Sequence, residues 1–260
     1  VTRPLVLIAA MQRTGSTLVS ELLTELPRAF VFREPRVFSG RVDLKPADLE
    51  RLGRVPGAEL GMTAGRGPAA DPVEAARWFA ADVYRPLSRQ LEQIGLKEIR
   101  YGTRWREVLE LLGELAPLRV VALGRDPRDI YLSLAERSRV RRVRLPGPFG
   151  PASVALAIER EFAAQRELIA ATGALTVRYE DLCGDPDVRA EIRRFVDSPV
   201  AGAGAVGVFK QSNREVHGHR VTTRRVRRWR EEPDASLRAG AAETRARLPE
   251  YCRYWGFPEP

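Results

Sequence analysis

Leu5 to Ala10 is a short apolar run, followed by Met11-Gln12-Arg13-Thr14-Gly15-Ser16-Thr17 and then by leucines at 18, 22, 23 and 26. The apolar run is too short for a helix of its own, and the leucine spacing is that of a helix face. The order is therefore strand, loop, helix. That unit constrains the rest of the chain, because a strand that feeds a helix directly returns to its sheet by a parallel crossover. Ala29 to Phe32 reads as the second strand, Leu118 to Leu123 as the third and the clearest buried-strand candidate, and Ala174 to Tyr179 as a fourth. Helices are expected from Pro72 to Leu96, Trp105 to Leu115, Pro127 to about Arg139, 152 to 171 and near 234 to 253. Alternation of this kind predicts a three-layer α/β fold, a parallel β-sheet flanked by helices, and the 260 residues fit one domain spanning 1–260.

Between these elements lie an irregular excursion from Asp43 to Pro72, an arginine-rich loop from Arg139 to Pro151, a Gly/Ala-rich stretch at 201–207 and a second arginine-rich stretch at 220–230. The first two are the expected walls of a substrate pocket. Hydrophobic residues make up 44% and no apolar run approaches a bilayer span, which excludes disorder and a membrane-embedded chain. Forty-three basic against 34 acidic residues leave a net charge of +9, pointing to an anionic partner of unspecified kind. Lysine occurs only at Lys45, Lys97 and Lys210, against a background of arginine. Cys183 and Cys252 are too few for a disulfide framework, and no secretory leader precedes the first strand, so the expected compartment is cytoplasmic. His217 and His219 have no third ligand placed by sequence, and no metal is expected.

The loop after the first strand is where backbone N–H groups and the positive end of a helix converge. Gly15 permits close backbone approach, the Ser16 and Thr17 hydroxyls donate, and Arg13 adds fixed charge. The Gly-Lys of nucleoside-triphosphatase loops is absent. The same residues also suit a plain helix cap, with Thr14 or Ser16 as the capping residue. A second segment, Leu123-Gly124-Arg125-Asp126-Pro127-Arg128-Asp129, puts Arg125 at a strand's carboxyl end and Ser133 two turns into the next helix. Arginine's fork matches phosphate oxygens, while Asp126-Pro127 alone is a good helix start.

Together, in this order, the two segments resemble the sulfotransferases that use 3′-phosphoadenosine 5′-phosphosulfate (PAPS) and release its desulfated product PAP. Further segments fall in that family's order: Phe32-Arg33-Glu34-Pro35, Lys97-Glu98-Ile99-Arg100-Tyr101 before the third strand, Arg178-Tyr179-Glu180-Asp181-Leu182, Arg224 to Trp229, and Tyr254-Trp255-Gly256-Phe257. The resemblance implies a P-loop nucleoside-triphosphatase-like sulfotransferase fold of bacterial type. It implies transfer of a sulfuryl group by in-line displacement to a hydroxyl of a small-molecule, carbohydrate or lipid acceptor. Arg13, Thr14, Gly15, Ser16, Thr17 and Leu18 would hold the 5′-phosphosulfate. Arg125 and Ser133 would hold the 3′-phosphate, with Tyr179, Arg224 and Arg225 completing the cofactor site and Ser212 adding a hydrogen bond. Glu34 would be the general base, with Glu98 as the alternative, and Arg13 and Lys97 would meet the developing charge without a metal. Glu98 and Ile99 depart from the Ser-Pro usual after that lysine. Other classes remain open on the residues: an ATP-dependent small-molecule kinase, or a basic nucleic-acid-binding module, although no specific nucleic-acid signature is present.

Overall fold

The computed structural model describes residues 4–26, 28–58, 60, 71–101, 104–141, 150–196, 215–216, 219–220 and 226–257. In chain order the main elements are β1 (Leu5–Ala10), α1 (Ser16–Thr24), β2 (Ala29–Arg33), α2 (Pro46–Leu52), α3 (Pro72–Trp78), α4 (Arg85–Ser88) and β3 (Gln93–Glu98). There follow α5 (Trp105–Leu115), β4 (Leu118–Gly124), α6 (Pro127–Arg141), α7 (Pro151–Thr172), β5 (Leu175–Arg178), α8 (Tyr179–Gly184) and α9 (Pro186–Phe195). After a small antiparallel ribbon, β6 (Glu215–Val216) with β7 (His219–Arg220), come α10 (Ala235–Ala246) and α11 (Pro249–Trp255).

Strands β1 to β5 form one parallel sheet in the order β2-β3-β1-β4-β5. Successive residues of β1 face opposite sides, as the two-residue period of a strand requires. Leu5, Leu7 and Ala9 join Phe30, Phe32, Leu96, Val120 and Ala122 in one core. Val6, Ile8 and Ala10 join Val31, Val121, Leu123 and, from α1, Leu18, Val19, Leu22 and Leu23 in the other. The doubly covered parallel sheet inferred from the sequence is the architecture observed.

Several element boundaries differ from the sequence expectation. The helix expected over Pro72 to Leu96 stops at Ser88 after a wide π-type turn at Phe79–Tyr84, and its last residues belong to β3. The missed strand is central, pairing with both β1 and β2, so Lys97 lies within a strand rather than ahead of one. The second strand, expected to follow a direct crossover, consequently reaches the sheet with β3 between itself and β1. Tyr179 opens α8 instead of closing β5. The final helix is two, divided where Pro249 occupies the first turn of α11. In the expected basic loop, α6 continues to Arg141 and α7 begins at Pro151, with 142–149 outside the described residues. The excursion from Asp43 contains α2, and its stretch 61–70 is outside the described residues.

Candidate active site

Strand register brings the carboxyl ends of the sheet into one row. Arg33 pairs with Lys97, Glu98 with Ala9, Ala10 with Leu123, and Gly124 with Arg178. Residues at or just beyond those ends therefore share one edge: the Met11–Thr17 loop, Glu34, Lys97 and Glu98, Arg125 and Tyr179. The chain leaves β1 toward β2 and leaves β3 toward β4, so this edge includes the switch point where parallel α/β sheets open a ligand crevice.

The loop itself leaves the start of α1 without a side-chain cap. Gly15 precedes α1 in the left-handed region, at φ 90° and ψ 10°. Asp71, Asp185 and Asp234, by contrast, each accept N–H bonds at the starts of α3, α9 and α10. Thr14 Oγ1 donates to the Met11 carbonyl at 2.8 Å, and Ser16 lies inside the helix. Neither caps α1, which removes the plain-cap alternative. An uncapped helix start with no acidic residue in its first turn keeps its positive end available to a negative group. Arg13 adopts φ 70°, a left-handed conformation uncommon outside glycine, which fits a loop held by its surroundings.

Two polar clusters flank this loop. On the β4 side, Arg13 Nε donates to Ser133 Oγ at 2.7 Å, and Arg125 Nη1 donates to the Arg13 carbonyl at 3.0 Å. The Arg125 guanidinium stacks over the Tyr179 ring at 4.2 Å, and that ring covers Gly15 closely enough to fill the space of a Cβ there. Tyr251 OH fixes Arg125 by accepting from its backbone N–H at 3.0 Å and donating to its carbonyl at 2.8 Å. Asp126 accepts from Arg128 N at 2.9 Å, so the Asp-Pro pair does start α6. The Asp126 N–H donates to Glu180 Oε1 at 3.0 Å. Burial pushes the Glu180 carboxyl up to about 7. The buried Asp129 carboxylate accepts from Arg227 N and Trp229 N at 2.8 and 3.3 Å and lies 3.8 Å from Arg125, pinning the end of the second arginine-rich stretch to α6.

On the β3 side, Lys97 Nζ sits 2.9 Å from Glu34 Oε1 and 3.4 Å from Thr17 Oγ1. Lys45 Nζ approaches the other Glu34 oxygen at 3.6 Å. Partial burial works to raise the Glu34 pKa, but attraction and hydrogen bonding from Lys97 and Lys45 outweigh it and hold the carboxyl at about 2. Lys97 is lowered by its burial, opposed by Glu34. Glu34 thus pairs with the two described lysines of an arginine-rich chain. Glu98 is fully buried, accepts from Val37 N at 2.9 Å, and is pushed up by desolvation to about 8. Tyr101 OH donates toward the Glu98 carbonyl at 3.3 Å and the Ala10 carbonyl at 3.5 Å, beside β1.

The structure therefore brings Arg13, Gly15, Thr17, Glu34, Lys97, Arg125, Ser133 and Tyr179 to one edge. Thr14 and Leu18 lie beside them but are spent locally, Thr14 bracing the loop and Leu18 buried in the core. Arg224, Arg225 and Ser212 are outside the described residues, as are His217 and the 201–207 stretch. Sequence reasoning missed Lys45, signalled only by lysine's scarcity, and Gln165, whose amide donates to the Ala9 and Leu123 carbonyls at 3.1 and 3.0 Å. Trp105 is buried, Trp78 packs against the core and Trp229 lies under Arg128, in line with packing roles.

A parallel sheet with this strand-loop-helix at its switch point defines a P-loop-like α/β protein of the sulfotransferase type. The chain belongs to the sulfotransferase family, whose model matches residues 4–198. No curated protein matches it. Among solved structures it is similar to the sulfotransferase domain of the Synechococcus PCC 7002 olefin synthase, with 18% identity, TM-score 0.59 and coverage of 100% of this chain and 96% of that one. A sulfotransferase from Alicyclobacillus acidocaldarius matches with 16% identity, TM-score 0.52 and coverage of 100% and 98%. A mouse sulfotransferase complexed with PAP matches with 11% identity, TM-score 0.50 and coverage of 97% and 88%. At these identities the likeness establishes the fold. Among the described residues no helix is long and apolar enough to cross a membrane, and no His, Cys, Asp and Glu group could hold a metal ion.

Proposed function

We propose that the protein is a PAPS-dependent sulfotransferase acting on a hydroxyl of a small-molecule, carbohydrate or lipid acceptor, with Glu34 as general base. The observation that carries this reading is the 2.9 Å Glu34–Lys97 pair standing at the same sheet edge as the uncapped loop before α1.

The residues present fit the cofactor. A nucleotide with phosphates on the 3′ and 5′ oxygens of one ribose needs two neighbouring anion sites, and the edge offers the start of α1 and, across the Tyr179 ring, Arg125, with Arg13 bonded to Ser133 beside them. When bound, PAPS supplies an activated sulfuryl group on a phosphate leaving group, so that the acceptor oxygen forms the new S–O bond in line as the bond to phosphate breaks. Arg13 and Lys97 contribute positive charge where the departing oxygens gain negative charge. Glu34 takes the acceptor's proton. A carboxylate held at about 2 by its lysines is a poor base. Engaging Lys97 with an anionic group weakens that hold and makes Glu34 more basic when a proton must be taken.

The test is incubation with sulfur-labelled PAPS and a panel of hydroxylated compounds. Labelled product together with stoichiometric PAP is expected, and absence of any affinity for PAP would overturn the assignment.

A further inference from the structure

The segment that carries Glu34 is strained. Glu34 and Arg36 both adopt left-handed backbone conformations, at φ 56° and 62°, although neither is glycine, and Pro35 lies between them. Such a path persists only where neighbouring structure over-determines it. Two of its anchors come from consecutive residues at the end of β3. The Lys97 carbonyl accepts from Glu34 N at 2.7 Å, and Glu98 Oε1 accepts from Val37 N at 2.9 Å. Adjacent strand residues face opposite sides of a sheet, so Lys97 reaches α1 while Glu98 reaches the turn that follows Glu34.

Resting on the reading of Glu34 as base, we propose that Glu98 is a positioning residue that fixes the Glu34 carboxylate by holding the Val37 amide. Glu98 takes no part in proton transfer. A neutral side chain of the same shape serves the purpose, since the carboxyl is pushed up to about 8 and is mostly protonated at neutral pH. Removing the side chain leaves a backbone N–H buried without its partner and lets the Glu34–Val37 segment relax, which misplaces the base without touching the cofactor loop.

The experiment compares Glu98→Ala with Glu98→Gln. Amide hydrogen exchange of the ligand-free protein should show Val37 protected in the parent chain and in Glu98→Gln, and exchanging at least about tenfold faster in Glu98→Ala. With PAPS and an acceptor, Glu98→Ala should lower kcat by about tenfold to a hundredfold while PAP affinity stays within about threefold, and Glu98→Gln should restore most of the loss. If Glu98→Ala does not fold, Glu98→Ser, which is too short to reach Val37, takes its place. Unchanged Val37 exchange in the truncated variant would overturn the proposal, as would unchanged kcat. So would a Glu98→Gln variant as slow as the truncation, because that would make Glu98 itself the proton acceptor. Failure of the underlying reading looks different: Glu34→Gln would keep full turnover while Val37 exchange still followed the side chain at 98.

Discussion

Arg13 and Ser133, 120 residues apart, are joined by a 2.7 Å hydrogen bond from Nε to Oγ. The bond ties the loop after β1 to the second turn of α6 and so would couple the two proposed anion sites. Replacing Ser133 by Ala removes the oxygen that orients the Arg13 guanidinium. PAP affinity, measured by titration calorimetry, should fall by about tenfold, the equivalent of about 1.4 kcal/mol and a usual value for one hydrogen bond to a charged group. Unaltered affinity would separate Ser133 from the cofactor.

Glu34→Gln keeps the shape of the proposed base and discards its proton affinity. Turnover with PAPS should drop by about 10²- to 10⁴-fold, with PAP binding nearly retained. Retained turnover would remove Glu34 from the chemistry.

The same carboxylate makes a pH signature. Its folded pKa of about 2 lies below the ordinary 4.5, so the folded state binds fewer protons than the unfolded one between those values. The stabilisation is complete above about pH 4.5 and is lost as pH falls toward 2. Thermal melts of the parent chain and Glu34→Gln should therefore differ fully at about pH 6, differ less as pH falls below about 4.5, and converge only as pH reaches about 2. Glu98 has the opposite sign: raised to about 8, it erodes stability as pH climbs from about 4.5 to 8, and Glu98→Gln should flatten that decline.

Gly15 combines a φ of 90° with the Tyr179 ring lying over its Cα. Gly15→Ala forces a left-handed alanine and displaces the ring from beneath Arg125. A lower melting temperature and at least about tenfold weaker PAP binding are expected, from about 1–2 kcal/mol of backbone strain plus the lost stacking. A variant that melts and binds like the parent would mean the loop tolerates a Cβ.

What the sequence displayed and what it hid divide along a physical line. β1 was legible as an unbroken apolar run and β4 as one interrupted only by Arg119, and the loop after β1 and Arg125 followed from them. β3 was not. Its Gly95 is a poor strand former, retained because a Cβ there would come within 3.0 Å of Val31 and 3.3 Å of the Val6 carbonyl. Its Lys97 and Glu98, expected in a segment between the helix ending at Leu96 and the next strand, are charges that no strand pattern predicts, yet both are buried, because the site supplies their partners. Glu34 was identifiable as a candidate, but its ion-pair partners were not. The partners are Lys97 and Lys45, and Lys45 lies on the far side of an irregular segment whose path no local pattern encodes.

The strand order β2-β3-β1-β4-β5 has a consequence for how activity is acquired and lost. Every adjacent pair of strands is separated in sequence by a crossover, and the residues of the edge come from stretches as distant as Arg13 and Tyr179. A fragment ending before β4 would keep Glu34, Lys97 and the loop before α1 but lack Arg125, Ser133 and Tyr179, so the complete edge needs all five strands. Pairings this remote close slowly during folding, so the appearance of PAP binding after dilution from denaturant should report completion of the entire sheet, and local helix formation should precede it silently.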